Sequence, residues 1–326
     1  MKRKLLKICL AAVLSTLLLG GCKNFGEYSE PNDRRLVSVI GFDNQNGDIR
    51  ATAEALEATE SGSVQPYLLT ENGKSAREAL TRISAQSPRE LSFTHCSALI
   101  LGKELTAEQI EDILDYCTGE KNISLSAKVI SADNAEQILS VKAEAAVSAG
   151  FEVADITENT AERFGYGGHC ALYEIKTARM QTANIYALPF FEGWQEKLRF
   201  AGLCVYVNDT VTALLNGEES LSYAVMRNIY DGGEVFYRDN IYTLDSASSK
   251  VRASFENGRL RLDVSVYSHG QNEKLSEIIQ STAESFDTDI FGIANTIEAR
   301  YPEIFDKIKA DYSTYYKNAE IIIREE

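Results

Sequence analysis

The chain has 326 residues, of which 33 are basic and 48 acidic, so its formal net charge is −15. This acidic balance argues against a nucleic-acid-binding protein and against electrostatic docking on anionic lipid. The length and an apolar content of 44% suffice to bury a substantial core, and we expect two or three domains.

The N-terminus predicts an exported lipoprotein. Residues 1–21 begin with a basic cluster and continue with an apolar run of about 12 residues, too short to span a bilayer as a helix. The sequence Leu-Gly-Gly-Cys at residues 19–22 then matches a bacterial lipobox. We therefore predict a signal peptide cleaved between Gly21 and Cys22, with acyl chains such as palmitate on the Cys22 thiol. The alternative is an ordinary export signal followed by an unrelated cysteine.

The predicted cleavage has two consequences for the mature protein. It removes four basic side chains and no acidic ones, which changes the net charge from −15 to −19. Residues 22–35 then form a lipidated tether, because they include Gly26, Pro31 and Asn32 and few apolar side chains. The acidic body stands off the membrane on this tether.

Residues 36–195 predict an N-terminal mixed α/β domain. Strands and helices alternate up to about residue 141, which is typical of a mixed sheet with helices packed on it. The predicted strands cover 36–42, 48–58, 91–101 and 128–131. The predicted helices cover 75–84, 106–117 with a Thr106/Gln109 capping box, and a short segment from Asp133 to Val141. Residues 142–195 are predicted as connecting structure, with a helix over 143–156.

Residues 196–326 predict a C-terminal domain in which a sheet carries one long helix. The predicted strands cover 200–207, 210–215, 234–244, 250–255, 260–266 and 321–323. Asn208-Asp209 and Asn257-Gly258 are predicted two-residue hairpin turns. Apolar residues at helical spacing from Leu275 to Ile297 predict a single amphipathic helix that ends near Pro302, with a second helix after it.

Candidate groups for chemistry are few. The cysteines beyond residue 22 lie mostly among apolar residues and form no CxxC pair, which favours buried thiols, while export leaves disulfides open; they are Cys96, Cys117, Cys170 and Cys204. His95 is predicted inside a strand, His169 after a Gly-rich run and His269 in a turn. None has neighbours at metal-ligand spacing, and the chain contains no nucleophile elbow or phosphate-binding loop motif. We predict no catalysis, cofactor or metal.

Several short segments of the chain follow the lipobox in a characteristic order. They are Asp33–Asp43, the Phe93-Thr94-His95 strand with its Gly102–Glu104 exit, Ala201–Tyr206, Thr288–Gly292 and Arg300–Phe305. In this order they resemble the Ger(x)C or GerAC family, the C-subunit lipoproteins of spore germinant receptors. The chain departs from the family at Lys23-Asn24, where Trp-Asp is usual, and at Phe305 and Tyr312, where Trp is common.

The resemblance implies an α/β (α+β), multi-lobed protein whose mixed sheets are each flanked by helices. It implies a non-catalytic subunit on the outer face of the inner spore membrane, working with A-type and B-type membrane subunits in nutrient-triggered germination. Within the C-terminal segment the candidates for a partner contact are Asp289, Phe291, Gly292, Arg300 and Pro302. The alternative is a helix-packing contact, because a glycine inside a helical stripe costs about 1 kcal/mol relative to Ala and indicates a special packing reason.

Two other functions remain as alternatives. A solute-binding lipoprotein of a transporter would share the lipobox and would need a cleft with convergent polar groups between lobes. A surface hydrolase would need a nucleophile–base pair, which the sequence does not display.

Overall fold

Two β-sheets organise the part of the chain that this computed structural model describes, which is residues 34–58, 63–119, 123–144, 146–194, 197–237, 240–270 and 274–326. Residues 35–326 belong to one compact unit. The predicted signal peptide, its cleavage site at Gly21, the lipidation site Cys22 and the tether up to residue 33 lie outside the described residues.

The elements follow in chain order. The strands are β1 (Arg34–Gln45), β2 (Asp48–Ala58), β3 (Val64–Gly73), β4 (Glu90–Ser92), β5 (Ala98–Gly102), β6 (Lys128–Ala132), β7 (Ile185–Trp194), β8 (Lys197–Val207), β9 (Thr210–Leu215), β10 (Gly233–Tyr237), β11 (Asn240–Glu256), β12 (Arg259–Gly270) and β13 (Glu320–Glu325). The helices are α1 (Ala76–Gln86), α2 (Ala107–Gly119), α3 (Ala135–Ser140), α4 (Ala149–Phe164), α5 (Leu172–Arg179), α6 (Gly217–Arg227), α7 (Leu275–Ser285), α8 (Ile293–Arg300), α9 (Pro302–Ile308) and α10 (Tyr312–Lys317), with a 3₁₀ turn (Lys309–Asp311) before α10.

The larger sheet is mixed, as predicted. Its strands run in the order β3-β2-β1-β5-β6-β7-β8-β9, and the short β4 pairs with β1. Parallel pairing joins β1, β5, β6 and β7, while the hairpin strands on either side are antiparallel. The continuous strand predicted over 91–101 is instead β4 and β5, with a turn at Thr94 and His95 between them.

Helices cover both faces of this sheet. The alternate residues Ile49, Ala51, Ala53 and Ala55 of β2 pack in the core beneath α1, α2 and α5. A second apolar layer from β1, β5 and β6 packs against α3 and α4 on the opposite face. Glu54, on that opposite face of β2, is only 1% exposed. The alternation in β2 was therefore predicted correctly, but both of its faces are buried.

Residues 142–195 contain more regular structure than predicted. The helix expected over 143–156 is α4, which begins at Ala149 because the Ser148 hydroxyl accepts the Phe151 N–H at 3.4 Å. α5 and β7 follow it. α3 begins after Asn134 rather than Asp133, because Asn134 Oδ1 accepts the Gln137 N–H at 2.7 Å while Asp133 pairs with Lys103.

The domain boundary predicted between residues 195 and 196 lies inside the larger sheet, because β7 and β8 on either side of it pair along their length. The change from one sheet to the other falls between β9 and β10, where α6 was not predicted. The smaller sheet has the order β10-β11-β12-β13 and ends in a parallel β12–β13 pair. The predicted turns at 208–209 and 257–258 are present, each with two positive φ angles.

The helix predicted from the apolar spacing near the C-terminus is divided in two. A helix is present near the C-terminus as predicted, but the single helix expected from Leu275 to Ile297 is two helices, α7 and α8. Extended backbone at Phe286 ends α7, and Gly292, at φ +70°, precedes α8. A left-handed residue cannot continue an α-helix, so the chain turns here although the apolar spacing continues.

A buried carboxylate gives the larger sheet a pH dependence. Asp43 of β1 accepts the N–H groups of Ala135 and Glu136 at 2.8 and 3.0 Å. Burial raises the pKa of Asp43 above its usual 3.8, against the opposing effect of these two bonds. The folded state therefore holds this proton more tightly than the unfolded state, so Asp43 contributes less stability as the pH rises from 3.8 through the raised pKa.

We expect the free energy of unfolding of the wild type minus that of Asp43→Asn to fall over that pH window and to become constant above it. Urea unfolding at a series of pH values measures this difference. A difference that grows with pH would mean that the two backbone hydrogen bonds outweigh the burial of the charge.

Candidate functional site

Asp289 organises the loop between α7 and α8. Its side chain is 5% exposed, and its Oδ1 accepts the N–H groups of Phe291 and Ile293 at 3.1 and 3.0 Å. Oδ2 accepts the Ala294 N–H at 2.8 Å and the Tyr312 hydroxyl at 2.7 Å. The carboxylate thus satisfies backbone donors at the start of α8, where the helix dipole also favours a negative charge.

Two tyrosines of α10 face this carboxylate. Burial and the neighbouring Asp289 charge raise the pKa of Tyr312 and that of Tyr316 far above the usual 10. The hydroxyl of Tyr312 donates to Asp289, whereas the buried hydroxyl of Tyr316 has no hydrogen-bond partner within the described part of the chain. Asp289 therefore joins α8 to α10 through Tyr312.

Gly292 and Phe291 connect the same loop to α6. A side chain at Gly292 would collide with the Arg227 guanidinium, and φ +70° is a conformation that L residues rarely adopt. The Arg227 Nη1 donates to the Phe291 carbonyl at 3.3 Å, and the Phe291 ring is buried in the core of the smaller sheet. The glycine is therefore needed mainly for its left-handed backbone, because the Arg227 guanidinium lies at the end of a flexible side chain that could move aside.

Asn295, in the first turn of α8, binds the segment between α5 and β7. Its Oδ1 accepts the Ala183 N–H at 2.8 Å, and its Nδ2 donates to the Ala183 carbonyl and to Gln181 Oε1, both at 2.9 Å. A cavity of about 280 Å³ lies beside this contact, lined by Ile185 and Val207 of the larger sheet and by residues of the C-terminal helices that include Tyr312. All four donors to Asp289 come from the protein itself, so the carboxylate has little capacity left for a ligand.

The predicted motif residues do not form one surface. Asp289 and Phe291 are buried and Gly292 precedes α8, whereas Arg300 and Pro302 are exposed at the α8–α9 junction. Pro302 occupies the first position of α9, which needs no backbone N–H. The sequence did not single out Arg227 or Asn295, because their partners lie 64 and 112 residues away along the chain.

The four cysteines at 96, 117, 170 and 204 are buried free thiols. Burial raises the pKa of Cys96 and Cys170 to about 12 and that of Cys204 to about 11. Their thiols are therefore protonated at neutral pH, and a protonated thiol is a poor nucleophile.

The histidines lie elsewhere than predicted in two of three cases. His95 is exposed in the turn between β4 and β5 rather than inside a strand, and His269 lies in β12 rather than in a turn. His169 follows the Gly-rich run, and its ring nitrogens face Glu174 at 3.0 Å and Asp231 at 3.5 Å. The described residues contain no cluster of His, Cys, Asp and Glu suited to a metal ion. Within the same residues, no helix combines the length and the apolar character needed to cross a membrane.

Two family models match separate parts of the chain. The model described as the spore germination protein N-terminal domain matches residues 27–186, and the model described as spore germination B3/GerAC like, C-terminal, matches residues 269–324. The chain belongs to the GerAC-like family of spore germination proteins. The C-terminal match contains the whole Asp289 loop, α8 to α10 and all but the last residue of β13.

A solved structure supports the family fold. The crystal structure of the GerBC protein is similar with a TM-score of 0.52 over 88% of this chain and 95% of that chain, at 14% sequence identity. No curated protein matches the chain. The GerAC-like family comprises C subunits of spore germination receptors and is not a known enzyme class. The mixed α/β architecture is therefore that of a receptor subunit family.

Proposed function

We propose that this protein is a non-catalytic, lipid-anchored C subunit of a spore germinant receptor. It acts on the outer face of the inner spore membrane through contacts with A-type and B-type membrane subunits, and it is needed for nutrient-triggered germination. The observation that carries the proposal is the pair of GerAC-like matches on a chain whose N-terminus has a lipobox ending in Cys22.

Three further features support this role. The described thiols are buried and protonated, which disfavours nucleophilic chemistry at these groups. The acidic charge of the chain disfavours binding to the membrane surface by charge alone, so a covalent lipid would be needed to hold it there. The exposed Arg300 and Pro302 remain candidates for the contact with a membrane subunit.

The anchor is tested by Cys22→Ala, with Cys9→Ala as the matched control because Cys9 lies in the same signal but away from the cleavage site. We expect Cys22→Ala to lose incorporation of a labelled palmitate analogue and to leave the spore membrane fraction, while Cys9→Ala keeps both. Lipid labelling of the Cys22→Ala protein would contradict the anchor.

The receptor role is tested in the sporulating host by deleting the gene and restoring either the wild type or Cys22→Ala. We expect the deletion to abolish the response to one or more nutrients, and only the wild-type gene to restore it. Affinity capture of the wild-type protein should also recover the A-type and B-type subunits. An unchanged nutrient response in a strain without a redundant receptor would contradict the role.

A further inference from the structure

A cavity of about 530 Å³ lies on the α3–α4 face of the larger sheet. Its walls come from β2, β3, the segment that follows α3 and the start of α4, and they combine apolar side chains such as Pro66, Leu68 and Val147 with polar ones such as Ser140 and Lys142. Val147 is 55% exposed, so the cavity is open on that side. A volume of this size falls in the range of small-molecule sites.

One buried acidic side chain, Glu54, lines this cavity. The strand register places it there, because Glu54 pairs with Val39 of β1 and with Leu68 of β3, and Val39 and Leu68 both pack on the α3–α4 face. Glu54 is 1% exposed, so a charge beside it would be shielded from competing water.

The hydrogen bonds of Glu54 are unevenly shared between its two oxygens. The hydroxyls of Ser38 and Ser148 both donate to Oε1 at 2.7 Å, whereas the one donor to Oε2 among the described residues is the Gly150 N–H, at 3.4 Å. Ser38 reaches the carboxylate from an irregularity in the β1 register between Val37 and Val39. A carboxylate has about four acceptor positions, so Oε2 retains capacity for a further donor.

Among the residues that the structure describes, no basic side chain compensates the Glu54 carboxylate. In the described part of the chain Glu54 forms no ion pair, and the one basic residue lining the cavity, Lys142, has an exposed side chain. A buried carboxylate without a cationic partner is unfavourable, and a ligand ammonium would supply that partner. A divalent cation fits poorly, because it needs several oxygen ligands and Glu54 is the one carboxylate among the described residues that line the cavity.

We propose that this cavity binds a small molecule with an ammonium group on an apolar body. The ammonium donates to Glu54 Oε2, and the apolar body packs against Pro66, Leu68 and Val147. The same chemistry belongs to a free alkylamine and to a lysine side chain, and we assign the site to the free amine. The inference rests on the geometry of the cavity and does not depend on the receptor role.

The test uses the full-length chain in detergent and two probes of equal shape, butylammonium and 1-butanol. Isothermal titration calorimetry should show saturable one-to-one binding of butylammonium and none of 1-butanol at the same concentrations. Glu54→Gln should weaken butylammonium binding about tenfold or more, because a charge-assisted hydrogen bond is lost. Glu298→Gln, the same change of charge on the exposed side of α8, should leave binding unchanged.

A second variant keeps the test decisive if Glu54→Gln fails to fold. Ala143→Trp fills the cavity from its lining without altering Glu54, and it should abolish binding. Equal binding of both probes, or wild-type affinity in a folded Glu54→Gln or Ala143→Trp protein, would overturn the proposal. Tighter binding of Nα-acetyl-lysine amide than of butylammonium would overturn the assignment to a free amine in favour of a lysine side chain.

Discussion

Replacing Asp289 by Ala is expected to lower the free energy of unfolding by about 3–5 kcal/mol, because it leaves several buried donors without an acceptor. Three of these donors are backbone N–H groups, one in the loop at Phe291 and two at the start of α8, and the fourth is the Tyr312 hydroxyl. The loop between α7 and α8 would lose its link to α10. Chemical denaturation of the purified protein, followed by circular dichroism, measures the change.

Matched variants separate the parts of this effect. Asp287→Ala removes a carboxylate two residues earlier that is 73% exposed and paired with Lys317, so it should cost less than about 1 kcal/mol. Tyr312→Phe removes one donor and should cost about 2 kcal/mol. If Asp289→Ala cost no more than Asp287→Ala, the loop would not depend on its buried carboxylate.

Gly202→Ala is expected to destabilise the protein by about 3 kcal/mol or more, because two penalties act together. Gly202 of β8 has φ +131°, and a side chain there would collide with the Leu215 carbonyl. That carbonyl is held by the Ser220 hydroxyl at 3.2 Å, and the same hydroxyl accepts the Leu203 N–H at 3.1 Å. The strand and α6 cannot separate without breaking this contact. Thermal unfolding measured by calorimetry reports the loss.

Gly258→Ala serves as the control for Gly202→Ala. Gly258 also has a positive φ, +78°, but a side chain there would meet nothing within 4 Å. It should therefore cost only the conformational penalty, about 1 kcal/mol. Equal losses in the two variants would show that the close approach of Leu215 contributes nothing and would contradict the explanation of Gly202.

The predictions from sequence succeeded where the deciding interaction is local. The capping box of α2 forms as expected, with Thr106 and Gln109 exchanging bonds of 3.0 and 3.3 Å. The hairpin turns at 208–209 and 257–258 follow from residues that tolerate positive φ. Each of these features involves residues within a few positions of one another, so the sequence contains the whole interaction.

The predictions from sequence failed where contacts between residues far apart along the chain determine the structure. Apolar spacing continues from Leu275 to Ile297, yet the helix ends at Ser285, and Asp289 and Arg227 hold the following loop through contacts that periodicity does not report. β7 and β8, which lie on either side of the predicted boundary, pair within the larger sheet, although the composition changes between them. His95 was placed inside a strand because the apolar run around it hides a turn.

The candidate site illustrates the same division. The resemblance selected Asp289, Phe291, Gly292, Arg300 and Pro302, and the structure separates them into a buried capping loop and an exposed helix junction. Much of this pattern is therefore explained by the fold itself. Arg300 and Pro302 are the part of it that a partner could reach.

The sequence by itself determined the mixed α/β class and the family resemblance, because both depend on local patterns, while lipid attachment at Cys22 stays a prediction from a short motif. The tertiary structure alone decided that β2 is buried on both faces, that Glu54 lines a cavity and that Asp289 joins two helices. Strand register and helix packing bring together residues that are far apart along the chain, and no local pattern in one sequence contains that information.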